Sequence, residues 1–162
     1  MIYILDNITK ELVEAEIIPL TNELIPNKKD GWHFNWQSIL KKEGRIYGLR
    51  TIKSPEKIEG AILLKVEYNM LIMDLLEIAP HNLGTKNKRY DYVAGCLIAF
   101  ACRESFNIEG DYQGFLTFIA KTELIKLYSE KYGAEIASGQ RMFIDLNAGK
   151  LLIKAFLERE KK

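Results

Sequence analysis

The sequence has few of the residues that build metal centres or disulfide frameworks. Two cysteines and two histidines occur among its 162 residues. Cys96 and Cys102 lie six positions apart in an apolar run and do not form a C-x-x-C pair, so the spacing favours buried reduced thiols. His33 has no carboxylate or cysteine pattern beside it. The sequence therefore predicts no metal site.

An excess of one charge and long apolar runs are also missing. The formal net charge is +1 with 28% charged residues, which provides no basic field for binding nucleic acid. No apolar run is long enough to cross a bilayer, and the N-terminus lacks a signal-peptide pattern. We therefore expect a cytoplasmic protein with no nucleic-acid or membrane partner. The 48% hydrophobic content is sufficient for one domain over residues 1–162.

Apolar runs and turn residues predict the order of the elements. Strands are expected at 3–5, 12–18, 45–51, 58–67, 71–78, 114–120, 134–137 and 141–146. Helices are expected before Pro26 and at 37–42, 90–102, 122–132 and 148–157. Short loops join the third to fifth strands, which predicts an antiparallel meander, whereas the helical crossover before the sixth predicts a parallel neighbour.

The stretch from Met70 to Phe106 organises the rest of the chain. Its buried strand ends at Pro80, because proline has no N–H for a sheet. A polar loop then leads to the N-terminus of the apolar helix. The first N–H groups of a helix have no intrahelical acceptor, so this position can hold an anion.

Three motifs between 58 and 145 resemble those of the GNAT (N-acetyltransferase) superfamily. Leu127-Tyr128-x-x-x-Tyr132-Gly133-Ala134 is similar to the family's lYeklGF signature. Ile78-Ala79-Pro80 is similar to the V-x-P at the end of its fourth strand. The run from Arg89 to Ala94 resembles its phosphate loop, Q/R-x-x-G-x-G/A. Tyr92 stands in the place of the loop's first glycine, so its φ must suit an L-residue.

The resemblance implies a fold and an activity. The fold is α/β of the α+β kind, with a mixed, mostly antiparallel central sheet of about seven strands and helices on both faces. The activity is acyl-CoA-dependent N-acyl transfer, with acetyl-CoA as the expected thioester and direct transfer to an amine. The amine of a small molecule or a protein is the acceptor, its identity is open, and a homodimer is an open alternative to a monomer.

The same resemblance assigns catalytic residues. Tyr128 matches the acid that protonates the departing thiolate, and a phenol with a pKa of about 10 suits that role. Asp74 is the expected base, since it lies four residues before Ile78, and Glu77 is the alternative. Strand alternation places Asp74 on the face of Ile78 and Glu77 on the face of Met73. A carboxylate in this apolar strand needs a partner or a raised pKa.

The resemblance also implies a cofactor site around the strand end, the loop and the helix start. The backbone N–H of Ile78 is the expected donor to the thioester carbonyl. The other expected cofactor-binding residues are Ala79, Arg89, Tyr90, Asp91, Tyr92, Val93, Ala94, Gly95 and Lys121. Lys121 departs from the family, which often has an asparagine seven residues before the tyrosine.

A second hypothesis follows from the altered phosphate loop. The chain can be a non-catalytic binding module of the same fold with a degenerate cofactor loop. Its protein partner would contact the aromatic cluster around Trp32 and Trp36. These aromatic side chains could instead line a ligand pocket, or they could pack in the core or in a lid, which is the interpretation that we favour.

Overall fold

The computed structural model describes residues 1–42, 44–84 and 86–161. Its strands are β1 (Ile2–Asp6), β2 (Glu11–Pro19), β3 (Arg45–Thr51), β4 (Ile58–Glu67), β5 (Met70–Ile78), β6 (Tyr90–Asp91), β7 (Leu116–Ile119), β8 (Glu135–Ser138) and β9 (Arg141–Ile144). Its helices are α1 (Trp36–Ile39), α2 (Val93–Ser105), α3 (Ile125–Tyr132) and α4 (Leu146–Leu152). A π-helical turn, Ile153–Leu157, continues α4.

The described residues form one sheet in the order β6-β1-β2-β3-β4-β5-β7-β9-β8. Only β5 and β7 are parallel neighbours within it. The mixed, mostly antiparallel sheet predicted from the sequence is confirmed, but it has nine strands rather than about seven. The apolar runs of the sequence predicted eight of these nine strands. The strand that they did not predict is β6. Tyr90 and Asp91 pair with Asp6 and Leu5 of β1, so the helix expected from 90 begins at Val93.

The helices near the N-terminus also differ from the prediction. Residues 22–24 form turns instead of a helix before Pro26. The helix expected at 37–42 is the four-residue α1. Asn35 caps it, because its side chain accepts a hydrogen bond from the backbone N–H of Ser38 at 3.1 Å. No helix in the described part of the chain is both long and apolar enough to cross a membrane.

A hydrophobic core lies on each face of the sheet. On one face α2 packs on β4 and β5 and contributes the fully buried Leu97 and Ile98. On the other face Trp32 and Trp36 pack against Ala61 of β4. The core interpretation of the aromatic cluster is thus confirmed. Helices on both faces, as predicted, explain why β4 reads as a nearly continuous apolar run.

The chain after α4 covers the first turn of α2. Phe156 lies so close to Gly95 that a Cβ on this glycine would be 2.2 Å from Cε1 of the phenylalanine ring. Cys96 lies beside this contact, and both cysteines are free and buried, as predicted. Burial raises the pKa of the Cys96 and Cys102 thiols to about 12. Both thiols therefore remain protonated at neutral pH.

We expect Gly95→Ala to lower the free energy of unfolding by about 1–3 kcal/mol, because the added methyl group forces the Phe156 ring to move. Gly149→Ala in α4 is the matched control. Its Cβ would lie 3.4 Å from Cys102 Cβ, an ordinary contact, and alanine is the better helix former by about 1 kcal/mol. Denaturant unfolding of both variants measures the difference. Equal stabilities would contradict the contact described here.

Candidate active site

The parallel strands β5 and β7 separate soon after they meet. Their pairing consists of Leu71 with Leu116 and Ile72 with Thr117. No further pair joins the two strands in the described residues, although β5 continues to Ile78. A gap therefore opens between β5 and β7. The second half of β5 has an open edge that faces this gap.

Backbone donors point into this gap. The N–H of Ala79 donates to the carbonyl oxygen of Glu59 on β4 at 3.0 Å. Successive N–H groups of a strand point to opposite sides. The N–H groups of Ile78 and Leu76 consequently point away from β4 and towards the gap. The N–H that the sequence analysis assigns to the thioester carbonyl thus lies on the open edge.

A β-bulge changes which side chains of β5 share a face. The register with β4 shifts between Met73 and Leu75, so Asp74 is an extra residue on β5. Met73 therefore packs in the same core as Ile78. The strict alternation expected from the sequence, with Met73 on the face of Glu77, is wrong because one inserted residue reverses the pattern.

Asp74 is exposed at the bulge. Its Oδ1 lies 3.5 Å from Nζ of Lys65, which also contacts Glu67 at 3.1 Å. These two carboxylates, with Glu67 first, raise the pKa of the Lys65 ammonium above its usual value. Lys65 is therefore the partner that the sequence analysis expects for Asp74.

Glu77 is held by three N–H donors from the aromatic segment. Its carboxylate accepts hydrogen bonds from the backbone N–H of His33 at 2.5 Å, from that of Phe34 at 3.1 Å and from Nε1 of Trp36 at 2.8 Å. Hydrogen bonds to a charged acceptor are the stronger class, at roughly 1.5–3 kcal/mol each. Glu77 thus ties the segment before α1 to the end of β5.

A buried polar network beside the end of β5 was not predicted from the sequence. Glu59 on β4 is 1% exposed, and its carboxylate contacts Nε2 of His81 and Nδ2 of Asn82. Asn82 Oδ1 also accepts from the N–H of Tyr90 at 2.9 Å. The only sequence signal is one acidic residue within the apolar run of β4. In the described residues, no group of three or more His, Cys, Asp or Glu could hold a metal ion.

Arg89 fixes the loop that precedes α2. Its Nη2 lies 3.2 Å from Oδ2 of Asp6 on β1. Burial of this carboxyl acts to raise its pKa, but hydrogen bonds from the Ile8 N–H and from Arg89 outweigh burial and hold the pKa of Asp6 below its usual value. Arg89 therefore anchors the loop to the opening hairpin.

A pocket of about 210 Å³ lies between the end of β5, the start of α2 and the end of α3. The predicted cofactor-binding residues that line it are Ile78, Tyr90, Asp91, Tyr92, Val93, Ala94 and Gly95. Three predicted residues lie outside its lining. Ala79 is buried in the core that contains Trp32 and Trp36. Arg89 lines a neighbouring pocket, and Lys121 is exposed after β7.

Tyr92 adopts the backbone conformation of the glycine that it replaces. Its φ is 78° and its ψ is 3°, which is the left-handed region and costs an L-residue about 1–2 kcal/mol. The sequence-based requirement for an ordinary φ is therefore wrong. The ring packs edge-on against Phe156, with centroids 6.4 Å apart, and the Arg159 guanidinium lies 3.8 Å from the Tyr92 ring centroid. These contacts offset the backbone strain.

The pocket suits an anion. Among the described residues no side chain caps α2, and the first N–H groups of a helix have no intrahelical acceptor. Lys88, Lys131 and Arg159 also line the pocket. Lys88 Nζ lies 2.9 Å from Oδ1 of Asp91, and this contact lowers the pKa of the Asp91 carboxyl. The donors and charges fit a pyrophosphate group.

Tyr128 lies on α3 and packs against β7. Its ring centroid is 4.8 Å from that of Phe118 and 5.9 Å from that of Tyr132. Burial raises the pKa of Tyr128 above its usual value. The hydroxyl therefore stays protonated at neutral pH and can donate a proton.

The motifs predict the fold of the GNAT acetyltransferases, and similarity to solved structures supports this fold. The chain is similar to AtaTR bound with acetyl-CoA, with a TM-score of 0.59 and 16% identity over 86% of this chain and 98% of that chain. It is similar to AtaT complexed with acetyl-methionyl-tRNAfMet, with a TM-score of 0.57 and 14% identity over 86% and 99% of the two chains.

A Bacillus subtilis acetyltransferase in complex with CoA has a TM-score of 0.53 and 15% identity over 83% of this chain and 99% of its own. No protein-family model and no curated protein matches the sequence. At these identities the similarity establishes the GNAT fold.

Because Asp74 and Glu77 have different surroundings, we expect their substitution to change the free energy of unfolding by different amounts. We expect Glu77→Ala to destabilise the protein by about 2–3 kcal/mol, since it leaves three N–H donors without their acceptor. Asp74→Ala is the comparison, with an effect below about 1 kcal/mol, because it removes an exposed ion pair. Denaturant unfolding measures both. A larger loss for Asp74→Ala would contradict the two environments.

Proposed function

We propose that residues 1–162 form a single acyltransferase domain that transfers an acyl group from a CoA thioester to an amine. Acetyl-CoA is the thioester that we favour. The main support for the proposal is that the open edge of β5 is continuous with the pocket at the start of α2. The open edge of β5 leads from Ile78 directly to the cationic pocket at the start of α2. An extended thioester arm that ends in a pyrophosphate matches this arrangement. Structural neighbours bound to acetyl-CoA and to CoA support it.

The residues around the gap divide the chemistry between them. Acetyl-CoA supplies a reactive thioester carbonyl and a thiol leaving group. The backbone N–H of Ile78 donates to the carbonyl oxygen and stabilises the charge that develops there. Tyr128 would supply its hydroxyl proton to the sulfur when the C–S bond breaks and the amine nitrogen takes the acyl group. The proton of the amine goes to a carboxylate.

Asp74 is the base that we favour. Its carboxylate is open to solvent and has one ammonium partner, Lys65. Glu77 already accepts three hydrogen bonds, so a proton on this carboxylate would displace at least one donor. Glu77 therefore serves better to position the segment before α1, and it remains the alternative base.

The acceptor is an amine of a small molecule or a protein in the cytoplasm. AtaT, a neighbour in fold, is complexed with acetyl-methionyl-tRNAfMet, and this complex supports a nucleic-acid-linked amine as an alternative acceptor. The net charge of +1 does not favour such a partner. A homodimer stays a prediction.

One observation favours the non-catalytic alternative. The Tyr92 ring and the segment at Phe156 and Arg159 cover the start of α2, where the family's loop has glycine. Titration calorimetry with CoA separates the two functions. Binding, followed by thiol release from acetyl-CoA with members of an amine panel, supports the enzyme. No binding at millimolar CoA would favour the binding module.

We expect Tyr128→Phe to lower kcat by about 10²-fold or more while the affinity for CoA is unchanged, because the variant loses the proton donor and keeps the ring packing. Tyr112→Phe is the control, since Tyr112 is 46% exposed, lies between α2 and β7 and is outside the pocket lining. Thiol-release kinetics with the best amine of the panel measure both. Full turnover by Tyr128→Phe would contradict its role as the acid.

A further inference from the structure

The segment after α4 forms one wall of the pocket at the start of α2. Phe156 and Arg159 line this pocket together with Tyr92 and Gly95. The absence of a side chain at Gly95 lets the Phe156 ring approach the helix. The segment thus forms part of the pocket in which the phosphates of the proposed cofactor would lie.

Arg159 brings a positive charge to this wall. Its Nε and Nη2 donate long hydrogen bonds to the carbonyl oxygen of Ala155 in the preceding π-helical turn, at 3.4 and 3.3 Å. In the described part of the chain it makes no salt bridge. Lys88, by contrast, is paired with Asp91. Arg159 therefore has donors to offer an anion.

Tyr92 holds the guanidinium in a defined orientation. The Arg159 Cζ lies 3.8 Å from the Tyr92 ring centroid and 5.7 Å from that of Phe156. A planar guanidinium stacked on an aromatic ring loses less conformational freedom when it binds, and its fork of N–H groups matches phosphate oxygens. The side chain that replaces the glycine thus also orients a cation.

We propose that Arg159 binds the pyrophosphate of the CoA thioester and that Tyr92 positions its guanidinium. Glycine lets the backbone approach a phosphate closely, and the tyrosine side chain restricts that approach. A charge-assisted, bidentate contact from Arg159 compensates for it. This inference rests on the proposed function, because it concerns how this chain holds the same cofactor.

The test compares the affinities of CoA and of pantetheine, which lacks the phosphates, by titration calorimetry. We expect Arg159→Ala to weaken CoA binding by about 10- to 100-fold, the usual range for a hydrogen-bonded charge contact. Its affinity for pantetheine should equal that of the unsubstituted protein. Arg159→Lys keeps the charge without the planar fork and should give an intermediate loss.

Lys154→Ala is the matched control. Lys154 is an exposed cation in the π-helical turn just before Arg159 and outside the pocket lining, so its removal should change CoA binding by less than about twofold. Thermal unfolding verifies that each variant is folded. An unchanged or tighter CoA affinity in Arg159→Ala overturns the inference while the proposed function stands. Equal losses for CoA and pantetheine overturn it too. If the unsubstituted protein binds no CoA, the proposed function fails as well.

Discussion

The early separation of β5 and β7 is the constraint on which the candidate site depends. The N–H groups of a strand inside a sheet normally donate hydrogen bonds to the strands on both sides. Beyond Ile72, β5 has one neighbour on its β4 side and a gap on the other. The gap leaves the N–H donors of Leu76 and Ile78 available on the open edge. Without the gap, β5 would have no open edge continuous with the pocket at the start of α2.

The start of α2 combines backbone strain with aromatic packing. Tyr92 keeps a left-handed conformation that a glycine would adopt at lower cost. Phe156 and Arg159 contact its ring, and Gly95 leaves room for Phe156. Substitution at any one of these four positions therefore affects the other three. The departure from the family's motif is better described as one packed unit than as a single lost glycine.

The sequence predicted those elements whose signal is local. Apolar runs and turns located β3, β4, β5, α2 and α3, and three motifs indicated the fold and most of the pocket lining. The strand β6 was missed because its two residues are fixed by pairing with β1, far away in the chain. The bulge at Asp74 was missed because a period of two carries no sign of an inserted residue. Arg159 was missed because only tertiary packing brings it to Tyr92.

The covering of α2 by the segment after α4 has a consequence for the order in which the site becomes complete. Ribosomes synthesise a chain from its N-terminus, and the strands that form the gap appear before residue 120. The wall made by Phe156 and Arg159 is translated last among the parts of the pocket. A nascent chain or a proteolytic fragment that stops short of Phe156 can contain every motif of the fold while the pocket at the start of α2 still lacks one wall.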